Sequence, residues 1–184
     1  MIKQVSVEVG SGDFGTSMLS ALKRLEDTAG IKLSRIEKLL LAEVGTVEQL
    51  LSILVDEPVV VDVLRQEEVG NVIEREVNIH KAYSDEVLLT AKSVINVDVL
   101  PDAVACDIRA KRLGLGSVIM KHKLETFRRV VEIGCYYNND EPKYHNERGL
   151  RIYRIYSIFY LGTEVFIIRE EFRSSVIRRL ASLI

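Results

Sequence analysis

The period of the hydrophobic pattern changes at Pro58, and this limits the folds open to the chain more than any other feature. Before it, apolar residues recur every three to four positions. Met18, Leu19, Leu22 and Leu25 share a helical face that Gly30 closes. Ile36, Leu39, Leu40 and Val44 share another, on a helix starting near Ser34. Gly45 interrupts that helix, and Thr46 is placed to cap a third through Ile53. After Pro58 the spacing falls to two, in β-branched runs over Val59–Leu64, Val72–Ile79 and Val87–Val97. One helix intervenes, starting at Pro101 and running to about Leu113, where Gly114-Leu115-Gly116 breaks it. Strand character returns over Glu125–Cys135, Leu150–Tyr160 and Val165–Phe172. The turn Leu161–Glu164 makes the last two a hairpin, and an amphipathic helix runs from Ser174 to Ile184. Helices first, then strands with one inserted helix, predict an α+β fold: a six-stranded, mainly antiparallel sheet with flanking helices.

Length and charge narrow the function class. The 184 residues suit one domain with a sizeable core, and 47% hydrophobic against 28% charged residues is globular composition. A net charge of −2 argues against a nucleic-acid partner, which would call for a basic excess. The chain lacks both an apolar run long enough for a bilayer and the apolar core of a signal peptide at Met1–Gln4, so no membrane association is expected. Two cysteines, Cys106 and Cys135, suit a reducing compartment, and the expected location is cytoplasmic. The polar stretch Tyr136–Gly149 is the longest expected loop.

Several motifs say less than their letters suggest. Gly10-Ser11-Gly12-Asp13-Phe14-Gly15 matches the dinucleotide-binding pattern between a strand-like Val5–Val9 and a helix. The next segment, however, reads as helix, so no second parallel strand carries an acid to a ribose, and Glu37 falls mid-helix. Asp13-Phe14-Gly15 resembles a kinase signature without the rest of that set. His80, His122 and His145 lie far apart and suggest no metal site. Cys106 reads as a small core residue, and Arg173, Arg178 and Arg179 as the solvated face of the last helix.

Two charges stand where apolar residues belong. Along Asn71–His80 one parity reads Ile73, Arg75, Val77, Ile79, which turns Arg75 inward. On the last strand Phe166, Ile168, Glu170 and Phe172 share a face, which turns Glu170 inward. Burial would ready that carboxyl as a proton donor; otherwise Glu170 pairs with an arginine such as Arg75 or Arg128. An inward cation and an inward acid on one sheet face suit a carboxylate substrate and a proton-transfer step.

At these residues the chain resembles the chorismate pyruvate-lyase family, over roughly residues 31–172. The likeness is carried by an ordered series: Leu39-Leu40-Leu41 before Gly45-Thr46-Val47, Arg75-Glu76-Val77, Ala91-Lys92-Ser93-Val94-Ile95 running to Leu100-Pro101, Leu113-Gly114-Leu115-Gly116, Arg128 through Gly134, and Glu170-Glu171-Phe172. The resemblance implies a chorismate lyase-like fold and cleavage of chorismate to 4-hydroxybenzoate and pyruvate without metal or organic cofactor. It also implies a substrate-binding arginine at Arg75, an acid near the ligand hydroxyl at Glu170, and backbone-amide contacts at Leu115 and Val47. Glu170 is further expected to help the ether oxygen leave as a general acid. Arg128 is a second candidate for a carboxylate, with pairing to Glu132 as its alternative. The hairpin before Glu170 is one residue longer than in better-known members, which leaves Glu171 open as the acid. Residues 1–30 are expected to form an extension without a clear counterpart, 31–172 the core and 173–184 a terminal helix. The alternative function is a non-catalytic small-molecule-binding domain of the same fold, as in the effector domains of transcription regulators.

Overall fold

The computed structural model describes residues 4–10, 14–138 and 149–181. Three helices open the chain after a short strand: β1 (Val5–Glu8), α1 (Phe14–Ala29), α2 (Arg35–Ala42) and α3 (Val47–Val55). Gly30 ends α1 at a φ of 65°, a left-handed value a side chain would resist. Ser34 starts α2 with a reciprocal capping box: Glu37 N donates to Ser34 Oγ, and Ser34 N donates to Glu37 Oε2 at 2.7 Å. Thr46 precedes α3 but makes no side-chain cap. The strands β2 (Val59–Val69), β3 (Val72–Lys81) and β4 (Val87–Asn96) follow, then α4 (Asp102–Arg109) and α5 (Leu115–Lys121). The chain closes with β5 (Thr126–Tyr137), β6 (Leu150–Tyr160), β7 (Thr163–Arg173) and α6 (Ser174–Ala181).

The sheet has seven strands rather than six, all antiparallel, in the order β1-β5-β6-β7-β4-β3-β2. The seventh is β1, which pairs with β5 at one edge, and Ala21, Leu22 and Leu25 of α1 lie in the same core as the sheet. Four residues of alternating burial are too short a signal to count as a strand by pattern alone. The rest is two three-stranded meanders, β2-β3-β4 and β5-β6-β7, joined where β4 meets β7. No described strand pair is parallel, so the dinucleotide reading of Gly10–Gly15 has no sheet to serve; residues 11–13 of that motif lie outside the described residues.

Other expectations shift for local reasons. The helix expected over Pro101–Leu113 ends at Arg109, and Gly114 does not merely break a helix but stands just before a second one, α5. On α4 the buried residues are Val104, Ala105 and Ile108, which leaves Cys106 exposed and not in the core. Arg178 is not a solvated charge: its Nε donates to both oxygens of the fully buried Glu37 at 3.1 Å, tying α6 to the start of α2. Arg179 pairs with Glu86. His80 and His122 each meet an aspartate, Asp62 and Asp107, and His145 lies outside the described residues, as does most of the Tyr136–Gly149 loop. Among the described residues no group of side chains could hold a metal ion, and no helix is long and apolar enough to cross a membrane.

The sheet face away from the central helices carries its own polar network. Tyr153 is buried against Gly134 of β5, its hydroxyl donates to Glu132 and accepts from Gln4, and Arg169 lies 3.7 Å from the ring centroid. A Cβ on Gly134 would stand 2.4 Å from the Tyr153 ring. Because Arg169, Glu132 and Gln4 hold that ring, Gly134→Ala should lose about 3 kcal/mol, or a Tm fall of roughly 6–12 °C. In Gly134→Ala/Tyr153→Val the losses should fall short of additive, and thermal unfolding of the four proteins measures this.

Candidate active site

A small cavity lies between the middle of the sheet and the first turns of α3 and α5. Its floor is the inward parity of four strands, with Arg75, Ser93, Ile168 and Tyr156 in one cross-strand row and Val77, Ala91 and Glu170 in the next, a row that Arg154 ends without lining the cavity. Its roof is Thr46, Val47 and Glu48 from α3 with Gly114, Leu115 and Gly116 from α5. Arg75, Val47, Leu115, Arg128 and Glu170, which the sequence singled out one by one, all line it. The free volume is about 50 Å³. A larger groove of about 750 Å³ runs past Leu19, Leu39 and Phe127, but its charged residues, Arg35, Lys38 and Arg129, are exposed or half-exposed, and none is fixed in a dry wall.

Arg75 is 3% exposed and donates from Nη2 to Leu113 O at 2.7 Å, while its Nε and Nη1 are buried and have no acceptor among the described residues. Burial lowers its pKa, and the charge of Glu48 acts in the opposite sense. A guanidinium with two buried and unsatisfied donors is built for an anion to complete it, since each such group costs about 1–3 kcal/mol when left alone.

Glu170 is equally buried, but its partners are neither Arg75 nor Arg128. Arg154 Nε donates to Oε2 at 2.7 Å and the Tyr156 hydroxyl donates to Oε1 at 2.8 Å. Arg154, only 1% exposed, also reaches Glu43 through Nη2 at 3.1 Å and binds the Glu43 carbonyl through Nη1. Burial works against its charge, yet Glu170, Tyr156 and Glu43 together hold its pKa above the ordinary value. Burial and the neighbouring Glu170 charge push the Tyr156 phenol well above its usual range, so it stays a donor. Sequence reasoning missed Arg154, although the same parity test finds it: Ile152, Arg154, Tyr156 and Ile158 share one face.

Two β-bulges settle open pairings. Val165 is an extra residue opposite Ile158 and Phe159. Beyond it Glu170 faces the cavity, while Glu171 faces the other side and meets Tyr136 and Arg169. The hairpin turn itself is two residues, Leu161 and Gly162, both at positive φ. On β5 the extra residue Val131 reverses the parity between Arg128 and Glu132, so these two do not pair; Glu132 receives Tyr153 instead. Arg128 is left half-buried on the cavity wall.

Comparison with known proteins finds relatives of the chain as a whole. A chorismate pyruvate-lyase of Mycobacterium tuberculosis is 26% identical over 177 residues, covering 84% of this chain and 87% of its own. One from Mycobacterium leprae is 24% identical over 165 residues, covering 79% and 77%. Among solved structures, a GntR-family transcriptional regulator from Bacillus cereus aligns at a TM-score of 0.41 and 12% identity, over 62% of this chain and 91% of that one. The family model described as chorismate pyruvate-lyase Rv2949c-like matches residues 34–180, well over half of the sequence. The chain belongs to the Rv2949c-like chorismate pyruvate-lyase family.

Proposed function

We infer that the protein is a carbon–oxygen lyase that eliminates pyruvate from chorismate and leaves 4-hydroxybenzoate. The observation that carries the reading is Arg75, a buried guanidinium with two unpartnered donors in the same cavity as Glu170. The family membership supports the choice of substrate.

The atoms balance without a co-reactant. The ether bond between ring and enolpyruvyl group breaks, and the hydrogen on the hydroxyl-bearing ring carbon ends on the enolpyruvyl methylene carbon. That carbon becomes the methyl of pyruvate, and the ring becomes aromatic. The protein's task is therefore to hold and orient. Arg75 and the Leu115 amide grip the ring carboxylate, with the Val47 amide beside them; first-turn amides have no acceptor within their own helix. Arg128 takes the second carboxylate, on the enolpyruvyl group. Arg75 and Glu170 stand two strands and one row apart, roughly 12 Å between backbones at ordinary strand spacings. A ring with acid and hydroxyl para to one another fits between side chains of that reach.

The role of Glu170 changes from the sequence expectation. Both its oxygens already accept, one from a guanidinium, so it acts as a fixed acceptor for the ring hydroxyl and not as a proton donor. A carboxylate offers about four lone-pair positions, and with both Nε and Nη2 of Arg154 on Oε2 the position left for ligand is on Oε1 beside the Tyr156 hydroxyl.

The test is to incubate folded protein with chorismate and measure 4-hydroxybenzoate and pyruvate, which should appear in equal amounts. No product above background would overturn the reading and leave the binding-module alternative, in which ligand raises Tm without turnover. The reading is of a cytoplasmic enzyme for a small anionic substrate, and the near-neutral charge supports the absence of a nucleic-acid partner.

A further inference from the structure

Two carboxylates line the cavity, and they are held differently. Glu170 is neutralised by Arg154. Glu48 accepts from Ser117 Oγ at 2.8 Å and, among the described residues, has no basic side chain within ion-pair distance. Its seat is made by missing side chains: a Cβ on Gly114 would stand 2.2 Å from Glu48 Oε1, and one on Gly116 would stand 3.3 Å from it. The adjoining residue, Leu113, gives its carbonyl to Arg75, so the seat borders the guanidinium whose Nε and Nη1 lack acceptors. With Glu48 there the free volume is about 50 Å³. That admits a few waters, whereas a cavity that takes a benzene ring measures about 150 Å³.

We propose that Glu48 is a built-in competitor: in the empty pocket its carboxylate occupies the seat at Gly114 and Gly116 beside Arg75, and the carboxylate of a cyclic ligand must displace it. This rests on the reading of Arg75 as the carboxylate-binding group. Glu48 makes no ion pair with Arg75 but stands close enough for its charge to act on it, so a carboxylate that completes Nε and Nη1 meets a second anion and binds against that repulsion or the cost of moving Glu48. The arrangement serves turnover, because the aromatic product carries the same ring carboxylate as the substrate and would otherwise be retained by Arg75. Glu48 touches no reacting bond in this scheme; it sets the affinity of the site for its own product.

The experiment is a calorimetric titration of 4-hydroxybenzoate into the wild type, Glu48→Gln, Arg75→Met and the double variant. Glu48→Gln keeps the size and the Ser117 hydrogen bond and removes the charge. It should bind about tenfold more tightly, and Glu48→Ala should move the same way. Arg75→Met should bind at least thirtyfold more weakly, and adding Glu48→Gln to it should change Kd by less than twofold, since the competition runs through Arg75. Unchanged or weaker binding to both Glu48 variants, with Arg75→Met still defective, would overturn the proposal alone, as would a tenfold gain that persists without Arg75. Equal binding by wild type and Arg75→Met, or no binding by any of the five proteins, would overturn the Arg75 reading and the proposal with it.

Discussion

Replacing Arg75 with methionine is expected to lower kcat/KM for chorismate about a thousandfold, yet leave the unliganded protein within about 1 kcal/mol of its original stability. The two effects separate because the side chain is incomplete in the empty pocket. Nε and Nη1 are buried without acceptors, and only Nη2 is used, toward Leu113 O. Methionine has similar bulk; it removes the desolvation cost of two idle donors and of a buried charge, which offsets the loss of one hydrogen bond. A bound carboxylate, by contrast, loses two charge-assisted hydrogen bonds worth about 1.5–3 kcal/mol each. At tenfold per 1.4 kcal/mol this is roughly a hundred- to ten-thousandfold. Steady-state kinetics and thermal unfolding on the same preparations decide the matter. The variant should also lose the rise in Tm that 4-hydroxybenzoate gives the wild type. A kcat/KM within tenfold of wild type would remove Arg75 from the site, and a large fall in unliganded Tm would make it a structural residue.

Much of this site was legible because β-strands have a strict period. Arg75 and Glu170 were identified by one question, which charge sits on the apolar parity of its strand, and both are 3% exposed. Arg154 answers the same question on β6 and is the most buried of the three. It is harder to see because β6 carries an arginine on each parity, Arg151 and Arg154, among apolar and aromatic neighbours, so neither face stands out. Errors gathered where the period slips. The bulge at Val131 separates Arg128 from Glu132, and the bulge at Val165 decides between Glu170 and Glu171; neither extra residue has a local sequence signature. On the helical side the difficulty was different. Glu48 in the first turn of α3 reads as an ordinary acid near a helix start, and only the tertiary approach of Gly114 and Gly116 puts it inside a cavity. The fold class follows from the change of period at Pro58, while β1 reads as strand-like over Val5–Val9 but too short, at 4 residues, to count in the sheet, and α5, at 7, does not declare itself.

Arg154→Met is expected to have the largest effect on stability, about 3–5 kcal/mol, which in a chain of this size lowers Tm by roughly 6–20 °C. Arg154 joins three pieces of the molecule: Glu170 on β7, Tyr156 on its own strand, and Glu43 at the end of α2. Without it the Glu170 carboxylate, 3% exposed, keeps only the Tyr156 hydroxyl as a partner, and the Glu43 carbonyl loses its donor. The segment after Glu43 leads through Gly45 into Thr46, Val47 and Glu48, so the same loss frees the roof of the cavity from its floor. The double variant Arg154→Met/Glu170→Leu separates the energetic role from the functional one. It removes the stranded charge along with its partner, and should regain most of the lost stability, because a buried ion pair contributes little over apolar side chains of similar volume. It should not regain turnover, since the acceptor for the ring hydroxyl is gone. Arg154→Lys should retain part of both properties, because it keeps the charge and loses the bidentate reach to Glu170 and Glu43. Chemical unfolding gives the coupling energy of the pair and product formation the activity. Recovery of turnover in the double variant would show that Glu170 serves only to balance Arg154, and would leave the ring hydroxyl without its proposed acceptor.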